Sequence, residues 1–368
     1  TATLGLMLLA SSVHLFAFFL ALELSSYSLY LLVFLHRETS RAQWAGLRYF
    51  LFGTCTSAVM LFGLALIYGA TGSAHLGALT SGWSQWAGDP LLQLGLLLTL
   101  AGAFFKLALF PFHSWAPDAY EAAAHPVTAY IATASKVAAV AALLRLTAPL
   151  VGAGDTPLLV QVLAMLAIVG MTVGNLAAVV QTDFKRPMAF SSIAHAGYLL
   201  IGILCFNLAG STAVIFYAVA ILVMKYTCFM VLVQVAGDGR NLSVDELAGL
   251  HRRAPCLALA LMMALFGLAG IPPTIGFSGK LLLFRAALTE GHLLLVLIAM
   301  FNVVLSLYYY LRVLKATYLT EPAAEPPPLA LPMPERVLTY LLIGAIVLIG
   351  FYPNGLLQIA AAAAQALL

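Results

Sequence analysis

Residues 256–288 read CLALALMMALFGLAGIPPTIGFSGKLLLFRAAL, an apolar run broken at Gly270-Ile271-Pro272-Pro273 and carrying Lys280 just after the break. About 20 apolar residues in a helix cross a hydrocarbon core about 30 Å thick, so the run is long enough to span. The paired prolines remove backbone donors and forbid one unbroken helix. Irregular backbone at membrane depth is tolerated only where it is buried in protein or lines a watery cavity. The stretch therefore marks a discontinuous membrane helix with an ionisable residue beside its rupture.

Apolar runs of this kind recur along all 368 residues, which are 63% hydrophobic and 8% charged. A soluble domain is about 25% charged, so this chain lacks the polar material for a water-facing surface. Solid apolar runs also exclude a transmembrane barrel, whose strands alternate. The chain opens inside an apolar run near 1–11 with no initiating Met, as a fragment lacking upstream helices would. Ten full spans are predicted after it, at 13–35, 45–69, 91–110, 127–147, 158–181, 187–206, 211–236, 256–288, 291–315 and 336–353. A short amphipathic piece is expected near 115–124, and the tail 354–368 reads as a surface-lying or partly inserted helix. The fold class is an all-α polytopic membrane bundle over 1–353, with repeats at about 1–147 and 158–315 and a final helix at 336–353.

One set of loops and span ends holds Arg37, Arg41, Lys185, Arg186, Arg240, Arg252, Arg253, Arg312, Lys315 and Arg336. The alternate loops, 70–90, 148–157, 206–211 and 286–292, hold no Lys or Arg, although Arg145 and Arg285 lie in helix ends beside two of them. The positive-inside rule puts the first set on the cytoplasmic side and sends the tail to the other. The proline-rich stretch 319–334 reads as extended loop. Cys55, Cys205, Cys228 and Cys256 are scattered through apolar segments without C-x-x-C spacing, as inert buried thiols are. Gly237-Asp238-Gly239 is too short for a nucleotide fingerprint, and the sequon at Asn241 falls on the cytoplasmic side.

Glu23, Lys106, Lys136, Lys225 and Lys280 lie deep in spans. A mid-helix charge costs about 2.5–3.5 kcal/mol on insertion scales, so pairing, water or function must offset it. For any single lysine the bland alternative is a salt bridge or snorkelling, the reading preferred for Arg145, Arg285 and Arg312 at span ends. Lys106 and Lys280 resist it. One precedes the interruption Phe110-Pro111-Phe112-His113-Ser114-Trp115-Ala116-Pro117 and the other follows Gly270–Gly276, the mirrored arrangement of inverted repeats. Desolvation disfavours an ammonium and a nearby carboxylate restores it, so a Glu–Lys pair of changing hydration loads and releases a proton. The expected relay is Glu23 with Lys106, then Lys136, then Lys280, with His195 either bridging it or merely packing. Lys225 has no motif around it, and its substitution is expected to be tolerated.

The strings FKLALFPFHSWAPDAYE (105–121), ATASKV (132–137), FKRPMAFSSIAHAGY (184–198), LAGIPPTIGFSGK (268–280) and SLYYYLR (306–312) resemble the antiporter-like, proton-translocating subunits of respiratory NADH–quinone oxidoreductase, or complex I. Within that family the N-type chains are the nearer match, because Lys280 is followed by Leu281-Leu282 and the chain ends soon after its last span. The resemblance implies a fourteen-helix subunit entered within its fourth helix. It also implies that Glu23, Lys106, Lys136 and Lys280 occupy the essential glutamate and lysine positions. Lys225 and Phe190 depart from the family pattern. Further implications are a multi-pass protein of the bacterial inner (plasma) membrane and no cofactor in this chain. NADH, FMN, iron–sulfur clusters and quinone would lie in partner subunits. The partners would be an M-type antiporter-like subunit, small membrane subunits and lipid, with no nucleic acid. Two alternatives stay open: a cation/proton antiporter subunit of a multi-subunit sodium exchanger, and a helical scaffold whose lysines only pair with neighbours.

Overall fold

The structure is a computed structural model that describes residues 1–35, 40–86, 88–152, 157–322 and 328–367. Arg37, and the parts of the 148–157 and 319–334 loops between these segments, lie outside the described residues. In chain order the helices are α1 (Ala2–Ser11), α2 (Leu15–Phe34), α3 (Ser40–Thr71), α4 (Leu76–Trp86), α5 (Pro90–Leu107) and α6 (Trp115–Ala122). They continue with α7 (His125–Ala132), α8 (Ala134–Thr147), α9 (Pro157–Val179), α10 (Lys185–Ile203), α11 (Leu208–Val235) and α12 (Leu250–Arg253). The last are α13 (Pro255–Ala269), α14 (Ile275–Thr289), α15 (Leu293–Leu319), α16 (Met333–Phe351) and α17 (Asn354–Leu367).

Among the described residues, eight segments are long and apolar enough to cross a membrane: α2, α3, α5, α7 with α8, α9, α11, α15 and α16. The buried α10 and the broken pair α13–α14 make up the ten spans read from sequence. Helix starts follow capping chemistry. Asp89 accepts the Leu91 N–H at 2.8 Å with Pro90 in the first turn, and Asn207 accepts the Gly210 N–H at 2.7 Å, each filling a donor that the helix leaves unpaired.

Three spans are interrupted, one more than the sequence predicts. α5 stops at Ala108, whose φ of 56° is left-handed, and α6 resumes at Trp115. α13 stops at Gly270, φ 87°, where the absent Cβ permits the left-handed turn. The additional rupture is at Thr133, inside the predicted 127–147 span and three residues before Lys136. The run 127–147 carries no proline or glycine to announce it.

The short amphipathic piece expected near 115–124 is α6, and it is buried in the bundle. Trp115, Ala116, Ala119 and Tyr120 of α6 are fully buried. Trp115 stacks on Tyr49 of α3 at 4.1 Å and donates its indole N–H to the Phe105 carbonyl at 3.1 Å, fastening α6 to the end of α5. On the Arg-rich side Arg41 pairs with Glu121 at 2.7 Å, Arg48 with Asp118 at 2.6 Å, and Arg186 with Glu121 at 2.6 Å, tying α3, α6 and the start of α10 together. Small residues let the helices close up: a Cβ on Gly63 of α3 would meet the Thr99 nitrogen of α5 at 2.5 Å. α10 runs through the centre, with almost every residue buried against α9, α11, α6, α14 and α15. The tail forms α17, which packs on α11 through buried Ala360 and Ala364.

Candidate functional site

Each of the four lysines read as lying deep in a span is buried: Lys106 is 1% exposed, Lys136 7%, Lys225 0% and Lys280 4%. None is dry of partners. Lys280, on α14, donates to the carbonyls of Leu268 (2.9 Å) and Ala269 (3.1 Å), the last two residues of α13. The end of a helix leaves carbonyls unpaired and carries partial negative charge, so the rupture itself supplies the ammonium with acceptors. Lys136, on α8, does the same for the other break by donating to the Leu107 carbonyl at the end of α5. It also lies 5.8 Å from the Trp115 ring.

Lys106 is placed differently. Its ammonium reaches the hydroxyls of Ser25 (2.8 Å) and Ser26 (3.0 Å) on α2. Glu23, half-buried on the same helix, accepts from the Ser57 hydroxyl of α3. The expected Glu23–Lys106 ion pair is therefore not direct, because the serines next along α2 take the carboxylate's place at the lysine. The two groups stay on one short segment of α2.

His195 sits at the middle of α10, 3% exposed, between two tyrosines. Its Nδ1 is hydrogen-bonded to the Tyr217 hydroxyl of α11 at 2.7 Å and its Nε2 to the Tyr310 hydroxyl of α15 at 3.2 Å. Tyr310 is bonded in turn to the Ser191 hydroxyl at 2.5 Å. Ser191 accepts from the Lys225 ammonium at 2.7 Å, which also donates to the Met188 carbonyl at 2.7 Å. An unbroken chain thus runs from Lys225 through Ser191, Tyr310 and His195 to Tyr217. A neutral imidazole donates from one nitrogen and accepts at the other, so a ring held by hydroxyls on both sides can take a proton on one face and release it from the other.

Two gaps remain in the series. Between Lys136 and His195 lies a cavity of about 20 Å³, lined by those two residues, Thr133, Ser192 and apolar side chains. A water needs about 10–15 Å³ of such space and two or more polar partners, so the gap is sized for one molecule. Between His195 and Lys280 stands Tyr198, whose ring is 4.9 Å from the Lys280 ammonium and 5.9 Å from the imidazole.

The structure therefore puts Lys136 and His195 on one cavity and Lys280 across the Tyr198 ring from His195, while Lys106 on α5 and Glu23 on α2 lie outside that cavity. The sequence reading left Lys225 outside the relay and gave no role to Ser191, Tyr217 or Tyr310. Ser191 and His195 are four residues apart, on one face of a helix, and that spacing was the available signal. Among the described residues no group of three or more His, Cys, Asp or Glu side chains is arranged to hold a metal.

Residues 12–306 match the family model described as NADH:quinone oxidoreductase/Mrp antiporter, TM. The chain is 58% identical over 366 residues to the NADH-quinone oxidoreductase subunit N 2 of Syntrophobacter fumaroxidans, covering 100% of this chain and 77% of that one. It superposes with a TM-score of 0.85 at 36% identity on a chain of respiratory complex I from Thermus thermophilus with bound aureothin, covering 97% of this chain and 78% of that one. A chain of the Mrp complex from Dietzia sp. matches with a TM-score of 0.87 over 99% of this chain and 76% of that one, but at 24% identity it speaks for the fold alone.

Proposed function

Because the chain belongs to the NADH:quinone oxidoreductase/Mrp antiporter transmembrane family, we propose that it is a proton-translocating membrane subunit of an NADH–quinone oxidoreductase, moving protons along a buried lysine–histidine–tyrosine series at mid-membrane. It is a multi-pass inner-membrane protein of the bacterial subunit N type and works among other membrane subunits. NADH, flavin, iron–sulfur clusters and quinone belong to partner subunits in this reading. This chain's task is to change the protonation of its own side chains when those partners turn over.

The observation that carries the proposal is the chain of hydrogen bonds through His195, flanked by lysines at helix ruptures and a cavity the size of one water. A proton arriving on the Glu23–Lys106 side passes to Lys136, whose neighbour is Leu107 at the very end of the helix that carries Lys106. From Lys136 it crosses the water-sized gap to His195, and from there it reaches Lys225 through Tyr310 and Ser191, or Lys280 past Tyr198. The scaffold alternative leaves this continuity unused. The sodium-exchanger alternative lacks additional carboxylates beside the relay, and hard cations take oxygen ligands. The repeats at about 1–147 and 158–315 each contribute one lysine-capped rupture in this reading.

The test is proton pumping by the assembled complex carrying Lys106→Ala or Glu23→Ala in this chain. Assembly is expected to be normal and most of the pumping assigned to this subunit lost. An unchanged number of protons per electron in either variant would remove these residues from the relay.

A further inference from the structure

Arg285 is an arginine of the second half that the relay does not use and that pairs with no described residue. It lies on α14 five residues beyond Lys280, about 7.5 Å of helix rise, and four before the helix ends at Thr289. A hydrocarbon half-layer is about 15 Å deep, so an arginine at that height belongs neither at the midplane nor in bulk water. It sits toward the side whose loops carry no Lys or Arg. Arg145, on the same side in the first half, is partly buried and donates to the Ala10 carbonyl at 2.5 Å. Arg285 is exposed and makes no hydrogen bond or ion pair with any described residue.

Beside it is a groove of about 500 Å³ between α11, α14 and α17. Leu208, Leu282, Ala286 and Leu357 form its apolar walls, and no carboxylate lines it. The hydroxyls there are already committed to their own helices: Thr212 donates to the Leu208 carbonyl and Thr289 to the Ala286 carbonyl, each at 2.7 Å. The guanidinium is thus the one uncommitted donor group among the described residues of an otherwise greasy slot. Leu281 (55% exposed) and Leu288 (47% exposed) continue the apolar surface on α14.

We infer that this groove binds an anionic phospholipid from the outer-facing leaflet, its phosphodiester held by Arg285 and one acyl chain lying along Leu282 and Leu357. An apolar slot with a single cation near its mouth complements an amphiphile with a negative head and a hydrocarbon tail. A guanidinium matches phosphate oxygens with paired N–H donors. The one carboxylate at the rim, Glu290, is engaged by the Asn207 amide at 2.6 Å and none lines the groove itself, which favours an anionic head over a zwitterionic one.

The experiment uses the intact complex in nanodiscs containing phosphatidylglycerol with a photoactivatable acyl chain, and maps the labelled peptides by mass spectrometry. Labelling of the α14 and α17 segments is expected in the wild type. In Arg285→Gln it should fall about fivefold, the factor that one basic residue contributes at an anionic surface. Arg285→Lys should retain it. Leu357→Trp, which fills the groove without altering its charge, should abolish labelling while leaving the guanidinium in place. Phosphatidylcholine bearing the same photoactivatable chain should label weakly, and added inorganic phosphate should not compete. Equal labelling in Arg285→Gln, equal labelling by phosphatidylcholine, displacement by inorganic phosphate, or cross-links from these segments to a neighbouring subunit in place of lipid would each overturn the assignment.

Discussion

Replacing Tyr310 with phenylalanine removes one oxygen from the centre of the chain that links Lys225 to His195, and its consequences separate stability from transport. The hydroxyl serves Ser191 at 2.5 Å and His195 Nε2 at 3.2 Å. Ser191 keeps Lys225 as a partner at 2.7 Å, and the imidazole keeps Tyr217 at 2.7 Å. Only Nε2 is orphaned, so the structural penalty is that of one unsatisfied buried polar atom, about 1–3 kcal/mol. Helices α10 and α15 stay packed. Proton transfer suffers far more, because a positioned donor–acceptor group contributes about 10²–10⁴-fold to a transfer step. Tyr310 is 1% exposed, and the vacated space is that of a single oxygen, at or below the roughly 10–15 Å³ that a water requires. Water therefore does not restore the link. In inside-out vesicles, NADH oxidation and acidification of the lumen are followed together, and protons per electron should drop by this subunit's share while the complex remains assembled. A normal ratio in a fully assembled Tyr310→Phe complex would show that protons do not pass through this hydroxyl.

Lys225→Ala should now give the same loss of pumping, contrary to the expectation from sequence, since it deletes one end of the chain through Ser191. Near-normal proton-to-electron ratios in that variant would return Lys225 to a packing role. Lys280→Met should both stop transfer and strip a donor from the Leu268 and Ala269 carbonyls, lowering thermal stability by about 1–3 kcal/mol. Lys280→Arg should keep the stability and lose the transfer, and a melting curve beside the pumping assay distinguishes the two. Outside the membrane, the hydrogen bond from Arg240, aided by the Ser243 N–H, holds the Glu246 carboxyl below its usual value of 4.5. With the folded value depressed, this carboxylate's stabilisation is complete above the unfolded value and disappears as pH falls through the folded one. Protease cleavage of the 236–250 loop should therefore rise on acidification below about pH 4.5 in the wild type and be pH-independent in Glu246→Gln.

The spans were legible because the period of the signal is long: an apolar run of membrane length identifies itself whatever its neighbours do. The breaks at 108–114 and 270–274 were legible because proline and glycine announce them. The break at Thr133 was not, since Ala129–Val137 holds neither residue. One contact at it is tertiary, the Lys136 ammonium donating to the Leu107 carbonyl, and one is local, the Thr133 hydroxyl donating back to the Ala129 carbonyl at 2.6 Å. The charged members of the site stood out because each is expensive in an apolar run. Its neutral members did not, because a serine or tyrosine inside a membrane helix is cheap and common. Only three-dimensional adjacency distinguishes Tyr310, which meets Ser191 and His195, from Tyr308, which is 62% exposed on the same helix. Lys225 failed for a related reason: its helix is unbroken and its partner, the Met188 carbonyl, sits on another helix.

The mirrored placement of Lys106 and Lys280 suggests two equivalent sites, but their surroundings differ, and in the proposed relay that difference would give the series a direction. Lys280 and Lys136 each donate to carbonyls at a helix end, acceptors that cannot donate in return. Loss of the proton leaves those carbonyls facing an amine with one donor fewer. Lys106 faces hydroxyls, which accept from an ammonium and can turn to donate to an amine. Its deprotonation therefore disrupts the least hydrogen bonding of the three. Glu23, the one carboxylate deep in a span among the described residues, lies on the same helix as those hydroxyls. In the proposed relay, reorientation of Ser25 and Ser26 together with movement of charge at Glu23 would toggle Lys106, with Lys136 and Lys280 following. The asymmetry lies in the partners of the lysines, on α2 for one and at helix ends for the others, and for that reason it is invisible in a comparison of the two halves by sequence position alone.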